Sequence, residues 1–111
     1  MKTNLLIVFI FLTSFSYCQT QGEMNQEACD AHELADKTMA KIYFRLMDSR
    51  SSETEKNLLL TDQRAWIKYK EAHCKSIAYQ FEGGSMQTMI SCSCLENLTN
   101  DRIRQLNEYD E

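Results

Sequence analysis

The sequence contains no proline, and only three glycines, Gly22, Gly83 and Gly84, among 111 residues. Proline and glycine are the strongest interrupters of regular structure. A chain with so few of either reads as long helices rather than many short turns. Basic clusters are missing as well. Twelve lysines and arginines stand against sixteen acidic residues, a net charge of −4. An acidic domain without a basic patch is a poor ligand for phosphate backbones, so we expect no nucleic-acid partner. There are only two histidines, His32 and His73. Gly83-Gly84-Ser85 is too short and too isolated to cradle a phosphate. The chain shows no internal repeat and no low-complexity run, and its C-terminus carries no lipidation or retention signal.

One apolar run is present, Leu5 to Leu12, after the positive Lys2 and before Thr13, Ser14, Phe15 and Ser16. A membrane span takes about 20 residues, so this run is too short for an anchor and has the pattern of a secretory signal peptide. Ser16 and Cys18 suit the positions before a cut, which makes residues 1–18 the signal and 19–111 a single mature domain. A lipoprotein would need a small residue before its lipidated cysteine. Tyr17 stands there, which argues against a lipid on Cys18. Cleavage removes Lys2, so the net charge falls from −4 to −5. Such a surface suits a basic protein partner. Cleavage also leaves four cysteines, Cys29, Cys74, Cys92 and Cys94. An even count in a small exported chain implies two disulfides. Each typically adds about 2–4 kcal/mol to a core that is marginal at this length.

The periodicity predicts an all-α fold: an antiparallel hairpin of two long helices plus a short C-terminal helix. Ala28, Ala31, Ala35, Met39, Ile42 and Leu46 recur at three- and four-residue spacing, one face of a helix over about Asn25 to Asp48. Asp48-Ser49-Arg50-Ser51-Ser52 breaks the pattern. Ser52 then caps a second helix, with Glu55 at the capping-box spacing. This helix runs to about Phe81, with Leu58, Ala65, Trp66, Tyr69, Ala72, His73 and Ile77 as its inward stripe. Glu82-Gly83-Gly84-Ser85 ends it. Met86 to Leu95 reads as an irregular connection. Thr99 caps a last short helix that buries Ile103 and Leu106.

The hairpin brings the cysteines together. Cys29 lies about 21 residues before a turn centred near Arg50 and Ser51, and Cys74 about 23 after. At 1.5 Å per residue they sit within about 3 Å of the same height. Cys92 and Cys94 follow soon after the second helix and reach the same end. They are too close in sequence to pair with each other. We favour Cys74–Cys94 with Cys29–Cys92 over Cys74–Cys92 with Cys29–Cys94; either ties the last helix to the hairpin. Zinc sites usually show two tight cysteine pairs, and here there is one, so no metal and no cofactor are expected.

The remaining chemistry is thin. His73 and Cys74 are adjacent and point about 100° apart on a helix, so they make no nucleophile–base pair. The carboxylates lie at helical spacing and read as a solvated face. Asn97-Leu98-Thr99 matches a glycosylation sequon but is read as chance in a bacterial-looking precursor. Trp66 and Tyr69 read as core residues. A binding protein is expected, not an enzyme.

One segment is more specific. Gln63-Arg64-Ala65-Trp66-Ile67-Lys68-Tyr69-Lys70-Glu71-Ala72-His73-Cys74 resembles the central helix of the lysozyme inhibitor LprI-like family, which reads much like QRAWIKYRDAEC. Further likenesses follow in the family's order. Thr20 to Asn25 resembles its TQAEMN start, and Ala35-Asp36 with Tyr43 its AD pair. Gly83 to Met86 resembles its GGSM loop, and Cys94, Leu98-Thr99, Arg102 and Leu106 its closing stretch. The likeness spans nearly the whole mature chain. It departs in lacking a proline near Thr88, in a displaced early Cys29, and in Cys92, which has no regular counterpart. The resemblance marks Gln63, Arg64, Trp66, Tyr69 and Arg102 as motif or core positions. It implies a small helical periplasmic or secreted domain, in some members tied to lysozyme inhibition.

Two functions follow as expectations. The first is an inhibitor of a basic lysozyme, with the exposed loop Glu82, Gly83, Gly84, Ser85, Met86 and Gln87 as the partner-binding element. The second is an envelope adaptor module that binds some other protein and leaves lysozymes untouched.

Overall fold

The computed structural model describes residues 19–110. Residues 1–18, where the signal peptide is expected, lie outside them. Three helices form: α1 (Gln21–Ser49), α2 (Glu53–Tyr79) and α3 (Gln87–Asn107), closed by a 3₁₀ turn at Glu108–Asp110. There is no strand among the described residues, as an all-α hairpin requires.

Each of the first two helices starts where a hydroxyl can cap it. Thr20 Oγ1 accepts the Glu23 amide at 3.1 Å, so α1 begins earlier than the apolar pattern alone suggests. Ser52 Oγ accepts the Glu55 amide at 3.1 Å, and the Glu55 carboxylate reaches back to the Ser51 amide at 3.1 Å. This is the capping box, shifted by one residue on its return arm.

The last helix corrects the sequence reading. Residues 87–95 are helical, not irregular, and α3 runs for 21 residues. Thr99 lies inside it, fully buried, with its hydroxyl on the Leu95 carbonyl at 2.7 Å, so it is no cap. Ile90-Ser91-Cys92-Ser93-Cys94 is weak in helix propensity. Tertiary contacts override that preference. Cys92 and Cys94 are two residues apart, about 200° around a helix, so they face opposite ways. One joins α1 through Cys29–Cys92, with Cα atoms 4.9 Å apart, and the other joins α2 through Cys74–Cys94 at 5.6 Å. α3 is thereby held between the two long helices, parallel to α1 and antiparallel to α2. Its closest backbone approach is to α1.

The inward face of α2 is also corrected. Leu59, Gln63, Trp66, Lys70, Cys74 and Ala78 are buried. Of the expected stripe only Trp66 is among them. Leu58, Ala65, Tyr69, Ala72 and His73 are exposed, Tyr69 by 55%, and Ile77 is half-buried. The bridge from Cys74 sets the rotation of the helix. Positions four and eight residues from it (Lys70 and Ala78, then Trp66) must then face inward.

Met39, Leu46, Leu59, Trp66 and Leu106 form the apolar core, with Ile42, Tyr43, Met47 and Ile103 against it. Apart from Trp66, which stands at mid-length, these lie in the half of the bundle nearest the Ser49–Ser52 turn. The other half has little apolar side chain to bury, and the two disulfides hold it instead.

Candidate partner-binding end

The connection from α2 to α3 stands at the disulfide end. It is wound tightly: the Phe81 amide donates to Ala78 O, Glu82 to Tyr79 O, Gly84 to Phe81 O, and Gln87 to Gly84 O. Gly83 has φ +77°, a left-handed geometry that side chains disfavour, and a Cβ on Gly84 would sit 3.1 Å from the Phe81 carbonyl. Asn25 Nδ2 donates to Ser85 O at 3.2 Å and ties the loop to α1, where Gln21 Nε2 also reaches Met89 Sδ at 3.7 Å. With a disulfide on either side, the loop is pre-shaped. Such a loop loses little entropy on binding.

Glu82, Gly83, Gly84, Ser85 and Met86 are exposed, and Gln87 is half-buried as the first residue of α3. The sequence reading placed Met86 in this loop but missed the two apolar residues before it, Tyr79 and Phe81. Tyr79 is 67% exposed, Phe81 38% and Met86 41%. Large apolar side chains at the last residue of α2 and in the connection after it were legible as composition. Their exposure was not, because it depends on where α2 stops. Beside the loop a cleft of about 420 Å³ opens between α2 and α3. Ala78, Leu95 and the Cys74 and Cys92 sulfurs give it apolar wall, and Glu71, Lys75, Thr88 and Ser91 give it polar edge.

The motif residues divide. Gln63, Trp66 and Arg102 converge in the interior, while Arg64 and Tyr69 point outward. Arg102 is 3% exposed. Its Nε donates to Gln63 Oε1 at 2.9 Å and its Nη1 to Gln105 Oε1 at 3.2 Å. Its Nη2 lies 3.0 Å from Asp62 Oδ2, but off the N–H direction, so this contact is an ion pair rather than a linear hydrogen bond. Its guanidinium carbon stands 5.8 Å from the centre of the Trp66 ring, whose face also takes Lys70 Nζ at 4.9 Å. Tyr109 completes the cluster by donating its hydroxyl to Asp62 Oδ2 at 2.6 Å. Partial burial pushes the Asp62 carboxyl up, but the Tyr109 and Arg102 contacts outweigh it and hold the carboxyl below its ordinary value. The same hydrogen bond, aided by burial, holds the Tyr109 phenol above its own. The convergence of these groups holds α2 to α3, with Arg102 and Gln63 inside and Asp62 and Tyr109 at its exposed edge.

The other chemically suggestive residues fall away from catalysis. The four cysteines among the described residues are joined in disulfides, so they offer no thiolates to a metal. His73 stacks on Tyr69 with ring centres 5.5 Å apart. Among the described residues no helix is long and apolar enough to cross a membrane.

The model of a family described as "Lysozyme inhibitor LprI" matches residues 15–106. An uncharacterised protein of Rhizobium meliloti (strain 1021) is 31% identical over 105 residues, covering 83% of this chain and 75% of that protein. No solved structure matches. Two disulfides and this family likeness together suggest an extracytoplasmic location.

Proposed function

Because this chain belongs to the LprI lysozyme inhibitor family, we propose that it is an exported inhibitor of a basic, lysozyme-like muramidase. In this reading residues 1–18 direct export and are removed, and the domain from Gln19 onward acts in the periplasm or outside the cell. The observation that carries the reading is the family match, which spans almost all of the folded part. A rigid body with a pre-shaped loop suits this reading, since little order has to be gained on binding a protein. The loop from Glu82 to Gln87 is the element we assign to the partner's cleft, with Glu82, Ser85 and Gln87 offering polar groups there.

An acidic inhibitor meeting a basic enzyme associates faster at low salt, and the gain fades as the Debye length shrinks to about 10 Å at 0.1 M. The test is a cell-wall lysis assay with the purified domain and a panel of lysozymes. Inhibition that weakens with added salt is expected. Undiminished lysis at low salt, with the domain at roughly tens of micromolar, would overturn the reading. It would favour instead an adaptor with a different protein partner.

A further inference from the structure

The charge of the molecule is sorted along its length. In the disulfide half of the described residues (19–36 and 66–99) eight carboxylates face three lysines. One of those lysines, Lys70, is buried over Trp66. The turn half (37–65 and 100–110) carries seven carboxylates and eight cations. The whole negative charge of the folded part therefore resides at one end, and the other end is slightly positive. The same end carries the exposed Tyr79, Phe81 and Met86. Asn25 and Gln21 bind Ser85 and Met89, so the first turns of α1 stand beside this connection; Glu23 and Glu27, two residues on from each, lie at the same end on the outer face of the helix.

We propose that the disulfide end is the docking face for the basic partner, with Tyr79, Phe81 and Met86 as its apolar anchors and the carboxylates of that end, Glu23 and Glu27 on the outer face of α1 among them, as the steering charge. The assignment rests on the inhibitor reading above and specifies which surface performs it. Protein interfaces draw most of their energy from a few large side chains at the centre of the patch, with aromatic residues and methionine enriched there. Rim charges act mainly on the rate of encounter. Anchors and charge share one end here: Tyr79 closes α2, Phe81 and Met86 stand on the braced loop after it, and the excess carboxylates lie at the same end. The adjoining cleft of about 420 Å³ lets a partner side chain bury next to the anchors. Phe44 and Leu58 are equally exposed but lie in the half without excess negative charge. A positively charged partner has no electrostatic reason to approach there.

The test is binding of the purified domain to an immobilised basic lysozyme, with association and dissociation rates read separately at several salt concentrations. Tyr79→Ala alone is expected to weaken affinity about tenfold or more, and the triple variant Tyr79→Ala/Phe81→Ala/Met86→Ala about a hundredfold or more, mostly through faster dissociation. Glu23→Gln/Glu27→Gln is expected to slow association severalfold and flatten its salt dependence while leaving dissociation unchanged. Phe44→Ala and Leu58→Ala should stay within about twofold of the parent. Melting curves confirm that each variant is folded, since all of these side chains are exposed. If the parent binds and the triple variant binds equally well, the docking face lies elsewhere and the inhibitor reading survives. If the parent itself fails to bind at low salt, the inhibitor reading and this assignment fall together.

Discussion

Arg102 of α3 donates its Nε to the side-chain oxygen of Gln63 of α2 at 2.9 Å, and both residues are buried. Gln63 in turn directs its amide nitrogen to Met39 Sδ of α1 at 3.6 Å. A chain of three side chains therefore crosses all three helices at one level, against the face of Trp66. The cation is enclosed but well supplied: Gln63, Gln105, Asp62 and the ring each take part of its charge.

Removing Arg102 should be among the more damaging single changes. Arg102→Ala leaves the Gln63 oxygen without its donor and opens space beside Trp66. A loss of about 3–5 kcal/mol is expected from urea unfolding followed by circular dichroism. Combining it with Gln63→Leu should be less than additive, with a coupling of about 1–3 kcal/mol. Strict additivity would mean that the two residues act independently despite their contact.

Trp66→Ala should cost about 3–5 kcal/mol, the range for deleting a large buried aromatic. Tyr69→Ala, three residues on but exposed, should change stability by no more than about 0.5 kcal/mol. The contrast is measurable in one set of melts. It tests the rotation of α2 directly, because a turn of about 60°, the angle between positions three apart, would exchange the two.

The two bridges should differ in what they contribute. Cys29–Cys92 closes a sequence separation of 63 and Cys74–Cys94 one of 20. On the loop-entropy model the first restrains the unfolded chain by about 4 kcal/mol and the second by about 3. Replacing each pair by serine and comparing unfolding midpoints should show the longer loop to be the greater loss. The opposite order would place the weight on native packing around buried Cys74 rather than on the unfolded chain.

The Asp62–Tyr109 pair makes stability sensitive at both extremes of pH. Asp62 has a folded value below its ordinary 3.8, so its contribution is present above that pH and is lost as pH falls through the folded value. Tyr109 has a folded value above its ordinary 10.0, so its contribution is present below that pH and is lost as pH rises through the folded value. Tyr109→Phe removes the hydrogen bond common to both. Its melting temperature should depend less steeply on pH than the parent's below about 4 and above about 10, and should run parallel to the parent's at neutral pH. Identical slopes at both extremes would show that the hydrogen bond does not persist in solution.

Much of the architecture could be read along the chain. The absence of proline, the cap at Ser52 with Glu55, and the stripe Ala35, Met39, Leu46 are local signals, and each appears in the fold where its spacing places it. The loop from Glu82 was legible for the same reason, since glycine marks where a helix must stop. The anchors around it were not, because exposure of Tyr79 and Phe81 follows from which helices are near, and no spacing rule reports that.

The inward face of α2 and the helicity of residues 87–95 belonged to tertiary structure alone. Hydropathy favours Leu58, Tyr69 and Ile77 as the buried set. The fold buries Gln63 and Lys70 instead, because Met39, Arg102 and the Trp66 ring are there to receive their polar groups. A lone sequence cannot price a buried polar group without knowing its partner across the bundle. By itself the chain determined that it would form helices, that the second begins at Ser52, and that its four mature-domain cysteines would meet at one end. Only packing decided which way those helices turn, since rotation about a helix axis is settled by what lies against it, here two sulfur bridges and one buried arginine.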